Sequence, residues 1–154
     1  VAVELQVDAI MAKVVSVVES LAVVETVNGG DNIHVVGAGL RASVSPERIA
    51  SPPGSSGLDS ASVVLTVRVR LFDRVFPTPV DEFSTDLLKA IGKVCGAYLG
   101  GFTLGGLVRD IDLHGRHGQA MTVQAGYMDV PDGTCRVMTL LLPLVIDNAW
   151  EEVA

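Results

Sequence analysis

Residues 62–76, SVVLTVRVRLFDRVF, followed by residues 79–101, PVDEFSTDLLKAIGKVCGAYLGG, decide how this chain folds. In the first segment Val63, Leu65, Val67, Val69 and Leu71 alternate with Thr66, Arg68 and Arg70. Side chains two apart share a strand face, so this is a strand with one apolar face rich in β-branched residues. In the second segment Phe83, Leu87, Leu88, Ile91, Val94, Cys95 and Tyr98 recur at steps of three and four, the stripe of an amphipathic helix. A strand that feeds a helix, each with one face to bury, calls for a sheet with the helix laid against it.

The flanking segments extend this pattern. Residues 5–21 have helical spacing at Ile10, Val14, Val17, Val18 and Leu21, with too little polar face for a helix covered on one side only. Ala22 to Thr26 and Ile33 to Val36 read as a hairpin around the turn Asn28-Gly29-Gly30-Asp31-Asn32. GAGLRASV, residues 37–44, is a short strand, and Ser45-Pro46-Glu47-Arg48 reads as an N-cap with proline opening a helical turn. Residues 51–62, SPPGSSGLDSAS, have almost nothing to bury and predict an exposed loop. The helix after the long strand is expected to start near Pro79 with Thr78 as cap, and to end at Gly100-Gly101. Leu107, Val108, Ile111 and Leu113 predict a strand, His114 to Gln119 a polar turn, and Met121 to Val130 another strand. Pro131-Asp132-Gly133 is a turn, and Thr134 to Trp150 a final long strand. Pro143 lacks a donor and predicts an edge or a bulge there. The sum is a single α+β domain over residues 1–154, with a mostly antiparallel sheet and two main helices packed on one face. No internal repeat is present.

Composition narrows the function. The chain of 154 residues is 49% hydrophobic and only 19% charged, with a mean hydropathy of +0.45. No run approaches twenty apolar residues, so no membrane span is expected, and no basic apolar leader opens the chain. The apolar surplus predicts surface buried between subunits, the alternative being a hydrophobic monomer core. A net charge of −7 is unsuited to gripping phosphates, though it would let DNA pass through a wide hole. Cys95 and Cys135 are too few for a disulfide framework and predict reduced thiols.

The sequence holds few groups that suggest chemistry. Asp110, Asp112 and His114 fall two apart, so on a strand they would line one side and could hold a zinc or manganese ion, with His117 folding back. The simpler reading is that Ile111 and Leu113 go into the core and force the polar three toward solvent or a partner. Asp81, Glu82 and Asp86 form an acidic group near a helix start, and capping with the charge preference there explains the first two. No carboxylate pair implies general acid–base work, no GxSxG elbow is present, and neither cysteine has a histidine at informative spacing. Gly100-Gly101 and Gly105-Gly106 trail a helix and lack a following Lys-Ser or Lys-Thr, so they are not a phosphate loop. Aromatic residues are only 5%, too few for a base-stacking platform. Arg68, Arg70 and Arg74 suit a neighbouring subunit's acids, and Phe72, Phe76 and Trp150 read as core or interface anchors. The expectation is no enzyme and no cofactor.

In this order the elements resemble the tail terminator proteins of long-tailed, siphovirus-type bacteriophages. The resemblance rests on the helix VDAIMAKVVSVVESL, the Pro/Gly/Ser loop before SVVLTVRVRLF, and VDEFSTDLLKAIGKVCGAYLGG. It continues through VRDIDL and AGYMDVPDGTCRVMTLLLPLVIDNAW, and covers nearly the whole chain in element order and length. It implies a structural virion protein that forms a ring, usually a hexamer, at the head-proximal end of the tail, assembled in the host cytoplasm. One face would stop growth of the tail-tube protein and the other would receive the head-side connector or stopper. DNA would pass through without specific binding. The N-terminal helix or the Arg68/Arg70 face would meet a neighbour; Arg68, Arg70, Arg74 and Trp150 are the candidate interface residues, and the 51–62 loop would reach along the axis toward the tube. Other neck and tail-completion ring proteins fit the same features. A divalent-metal hydrolase on Asp110, Asp112 and His114, or a small-molecule binding module, are the readings from other classes.

Overall fold

The computed structural model describes residues 7–21, 26–29, 41–50, 60–76, 85–101, 103–116, 118, 120–130 and 133–151. They form an α+β fold with two main helices packed against a mostly antiparallel sheet. The elements are α1 (Val7–Ser20), β1 (Thr26–Gly29), β2 (Arg41–Ala50), β3 (Ser60–Phe76) and α2 (Thr85–Gly100). A single 3₁₀ turn (Leu104–Gly106) then leads to β4 (Asp110–Ile111), β5 (Thr122–Val130) and β6 (Gly133–Glu151). The sheet runs β1-β2-β3-β6, and β6 has both β4 and β5 along its far side. The β1–β2 pair is parallel and every other pair antiparallel.

The alternation in β3 places one row of the sheet under the helices. Val63, Leu65, Val67, Val69 and Leu71 are fully buried in one cluster with Leu140, Leu142 and Leu144 of β6. Leu87, Ala90, Ile91, Val94 and Tyr98 of α2 and Ile10, Val14 and Val18 of α1 pack onto it. Burying such a side chain contributes about 1.5–3 kcal/mol, so this layer dominates the fold. The other row of β3 is mixed. Thr66 and Phe72 are buried, while Arg68 and Arg70 are half-buried opposite Leu141 and Thr139. Phe72, Cys135 and Val137 form a second, smaller apolar cluster on this face.

Several expectations are corrected. Helix α1 does have an outward face, with Asp8, Ala9, Ala12, Lys13, Ser16, Glu19 and Ser20 exposed. Leu88 of the α2 stripe also points outward. Asn28 and Gly29 are strand, paired in parallel with Ser43 and Val44, and do not turn the chain. The expected return strand at 33–36 lies outside the described residues, as do Thr78, Pro79, Asp81, Glu82 and Phe83. Ser45 to Arg48 is no helical turn but the middle of β2, with a bulge between Pro46 and Arg48. Proline is tolerated there because β1 covers only Arg41–Val44, so among the described residues β2 is an edge from Ser45 onward. Of the 51–62 loop, Ser60, Ala61 and Ser62 belong to β3, and 51–59 lie outside the described residues. The predicted strand from Leu107 to Leu113 shrinks to Asp110 and Ile111.

Pro143 is neither at an outer edge nor in a bulge. It pairs with Thr66 in unbroken register in a strand flanked on both sides. Its carbonyl accepts from the Asp112 amide at 2.9 Å. A residue's amide and carbonyl point to the same side of a strand, so the proline nitrogen also faces the side where β6 changes partner from β5 to β4. The missing donor falls in that gap.

Candidate functional site

The segment 103–121 leaves α2, touches β6 and returns to β5, and it builds a hollow of about 350 Å³ lined by Arg109, Asp110, Ile111, Asp112, Leu113, His114 and Arg116. Arg109 and Asp112 donate their amides to the carbonyls of Val145 and Pro143, which seats β4 on β6. Ile111 pairs with Leu144 and points into the main core. The loop is closed at its base by the Met121 amide on the Asp112 carbonyl at 3.2 Å. Gly115 turns it with φ of 72°, where an added Cβ would lie 3.2 Å from the Ala120 nitrogen and the Gly118 oxygen. Only glycine meets both demands without displacing its neighbours.

The residues considered for a metal, Asp110, Asp112 and His114, all border this hollow, but their side chains do not form a ligand set among the described residues. The strand ends at Ile111, so the two-residue period stops before Asp112 and His114. Asp110 is half-buried on β4 and His114 is exposed. Asp112 is 5% exposed, and its Oδ1 accepts the Arg116 amide at 2.9 Å, an Asp-capped turn that organises the loop. Among the described residues no three His, Cys, Asp or Glu side chains are grouped to hold a metal ion. The simpler reading was also incomplete, because Asp112 turns inward to serve the backbone.

Arg109 on the rim of the hollow is paired with an acid of β6. Asp147 of β6 accepts from Arg109 Nε at 2.7 Å and pairs with its Nη2, and it accepts the Ser62 hydroxyl at 2.8 Å. Hydrogen bonding to Asp147 raises the Arg109 pKa further above its ordinary value, against a smaller lowering by burial. This exposed pair pins the start of β3 and the entry to β4 onto β6, and contributes little stability by itself.

The expected interface residues are scattered. Arg68 and Arg70 stand side by side on the sheet face away from the helices, with Arg68 Nη2 3.4 Å from Ser45 Oγ. Arg41, Ser43 and Ser45 of β2 share that face, so the arginines sit in a polar layer in the middle of the sheet. Arg74 lies in the bulge between Phe72 and Val75, and Trp150 pairs with Ala61 near the end of β6; their side chains are outside the described residues. Among the described residues, the exposed large apolar side chains are Leu88 and Leu99 of α2, Ile49 of β2, and Val123 and Tyr127 of β5. Of these, the β5 pair carried a signal in the sequence: Val123, Ala125 and Tyr127 alternate with Gln124 and Gly126. No helix among the described residues is long and apolar enough to cross a membrane. Compared with known proteins, the chain matches no protein-family model and no curated protein.

Proposed function

We propose that the protein is a structural ring subunit of a bacteriophage tail, capping the tail tube at its head-proximal end and offering the joining surface for the head-side connector. The observation that carries this reading is where the apolar surplus goes. Large apolar side chains are exposed on separate elements, Ile49 on β2, Leu88 and Leu99 on α2, and Val123 and Tyr127 on β5. A heterologous ring needs two unlike surfaces on each subunit, and a chain with apolar exposure on several elements supplies them. The order of helix, long strand, helix and closing hairpin supports the same family. The net charge of −7 suits a hole through which DNA passes without being held.

Other neck and tail-completion rings share these supports and differ in what they stack on. The hydrolase reading has less, because Asp112 is committed to the Arg116 amide. The test is the mass of the purified protein over a range of concentrations, alone and with tail-tube protein. A closed hexamer, or a ring that forms on the tube end and halts its growth, is the expected result. A monomer indifferent to the tube protein would overturn the reading.

A further inference from the structure

Strand β5 has an edge that no other strand among the described residues covers. It pairs with β6 from Thr122 to Val130 without a register shift, and among the described residues β6 is its strand neighbour on one side alone. Alternate backbone N–H and C=O groups between Val123 and Asp129 therefore point outward, a template for one more strand. Proteins usually blunt such an edge with lysine, proline or a bulge. The opposite end of this sheet does so with Pro46 and the bulge after it. No such device occurs in β5, and its one charged residue is Asp129. The row that faces the helix side, Val123, Ala125 and Tyr127, lies beyond the cover of α2, with Val123 38% and Tyr127 59% exposed.

We propose that β5 pairs antiparallel with β5 of a second copy of this chain, about a two-fold axis at Gly126. The backbone chemistry of an edge asks for an extended strand, and the side chains fit their own copy. Centred on Gly126, Ala125 stands opposite Tyr127 and Val123 opposite Asp129. Each Tyr127 ring then covers the Ala125 of the other copy and reaches its Val123 diagonally, a favourable aromatic–aliphatic arrangement. The Asp129 carboxylate is held by the Thr134 hydroxyl at 3.0 Å. The two copies of Asp129 end up about 20 Å apart at ~3.4 Å per residue, beyond a Debye length of about 8 Å. Two subunits that each carry −7 thus meet without like charges in contact. The contact is isologous and takes up Val123 and Tyr127, which leaves Ile49, Leu88 and Leu99 for the two unlike surfaces of a ring.

Cross-linking tests it. Gly126 has room for a side chain, since a Cβ there would meet only Val137 Cγ1 at 3.9 Å. Directly opposed residues in an antiparallel pair have Cα atoms about 4.5–5.5 Å apart, within disulfide range. Gly126→Cys should form an intermolecular disulfide under mild oxidation, whereas Lys89→Cys on the exposed face of α2 should not. Wild type sets the background from buried Cys135 and half-buried Cys95. Tyr127→Lys should weaken self-association by at least about tenfold while circular dichroism stays native. The proposal requires both results. A Gly126→Cys protein that cross-links no more than the Lys89→Cys control, or a Tyr127→Lys protein of unchanged assembly mass, overturns it. A hexameric ring with no cross-link at 126 overturns the β5 pairing and leaves the ring reading intact. Two-fold pairs that never form a ring on the tube do the reverse.

Discussion

Tyr98 lies fully buried at the seam of the two helices, and its hydroxyl donates to the Val14 carbonyl at 2.9 Å. The ring fills the core while the hydroxyl ties α2 to α1. Tyr98→Phe should keep the packing and lose about 1 kcal/mol, measurable by urea unfolding. Burial first, and then the nearby Cys95 thiolate, push the phenol pKa well above its ordinary 10.0. The folded state therefore holds this proton more tightly than the unfolded chain does. Its contribution is fully present below about pH 10 and is lost as pH rises above that. Wild type should lose stability more steeply than Tyr98→Phe in alkali; parallel curves would refute the assignment. Asp112 is the second residue whose role follows from its contacts. Asp112→Asn keeps an acceptor for the Arg116 amide and should cost less than about 1 kcal/mol, whereas Asp112→Ala should cost at least that much. Equal losses in both variants would mean that the carboxylate charge, not the turn bond, is what the loop requires.

Helix α2 shows how an element can be right for the fold and suboptimal alone. Gly92 and Gly96 are exposed in its interior, and a Cβ added at either would meet nothing within 4 Å. Replacing each with alanine should stabilise the subunit by about 0.5–1 kcal/mol, seen as a higher urea midpoint with unchanged slope. The strands and helices legible in the sequence were those with a long, unmixed period. Alternation from Val63 to Leu71 and helical spacing from Leu87 to Tyr98 each have one dominant face, and both elements formed as expected. Local turn chemistry misled where tertiary pairing outweighed it. Ser45-Pro46 resembles a helix start, yet the strand continues because β3 pairs through Pro46 and then past the bulge. Pro143 signalled a strand with an open side, but not that two different strands would leave the opening between them. Alternation in DIDLH suggested three aligned ligands, and it failed because Asp112 reaches back to cap a turn that no period encodes.

At the scale of the whole molecule, two kinds of contact compete to explain the proposed assembly, and salt separates them. If Arg68 and Arg70 met a neighbour's acids, raising the salt would screen the attraction and weaken the proposed assembly. If the apolar side chains at Ile49, Leu88, Leu99, Val123 and Tyr127 are what subunits bury, the reverse holds. Each subunit carries −7, so bringing copies together costs Coulomb repulsion that salt relieves, while apolar burial is undiminished. The placement of the arginines favours the second case. Arg68 and Arg70 are half-buried in the subunit's own polar layer beside Ser43 and Ser45, where reaching another chain would mean leaving those neighbours. Light-scattering mass measured from about 0.05 to 0.5 M salt, across which the Debye length falls from roughly 14 to 4 Å, should therefore show assembly strengthening. Sulfate should act more strongly than chloride at equal ionic strength, because it also enhances apolar burial. Assembly that falls steadily with salt would place the arginines at the interface after all, and would move the search for the subunit contact from α2 and β5 to the sheet face that the helices leave uncovered.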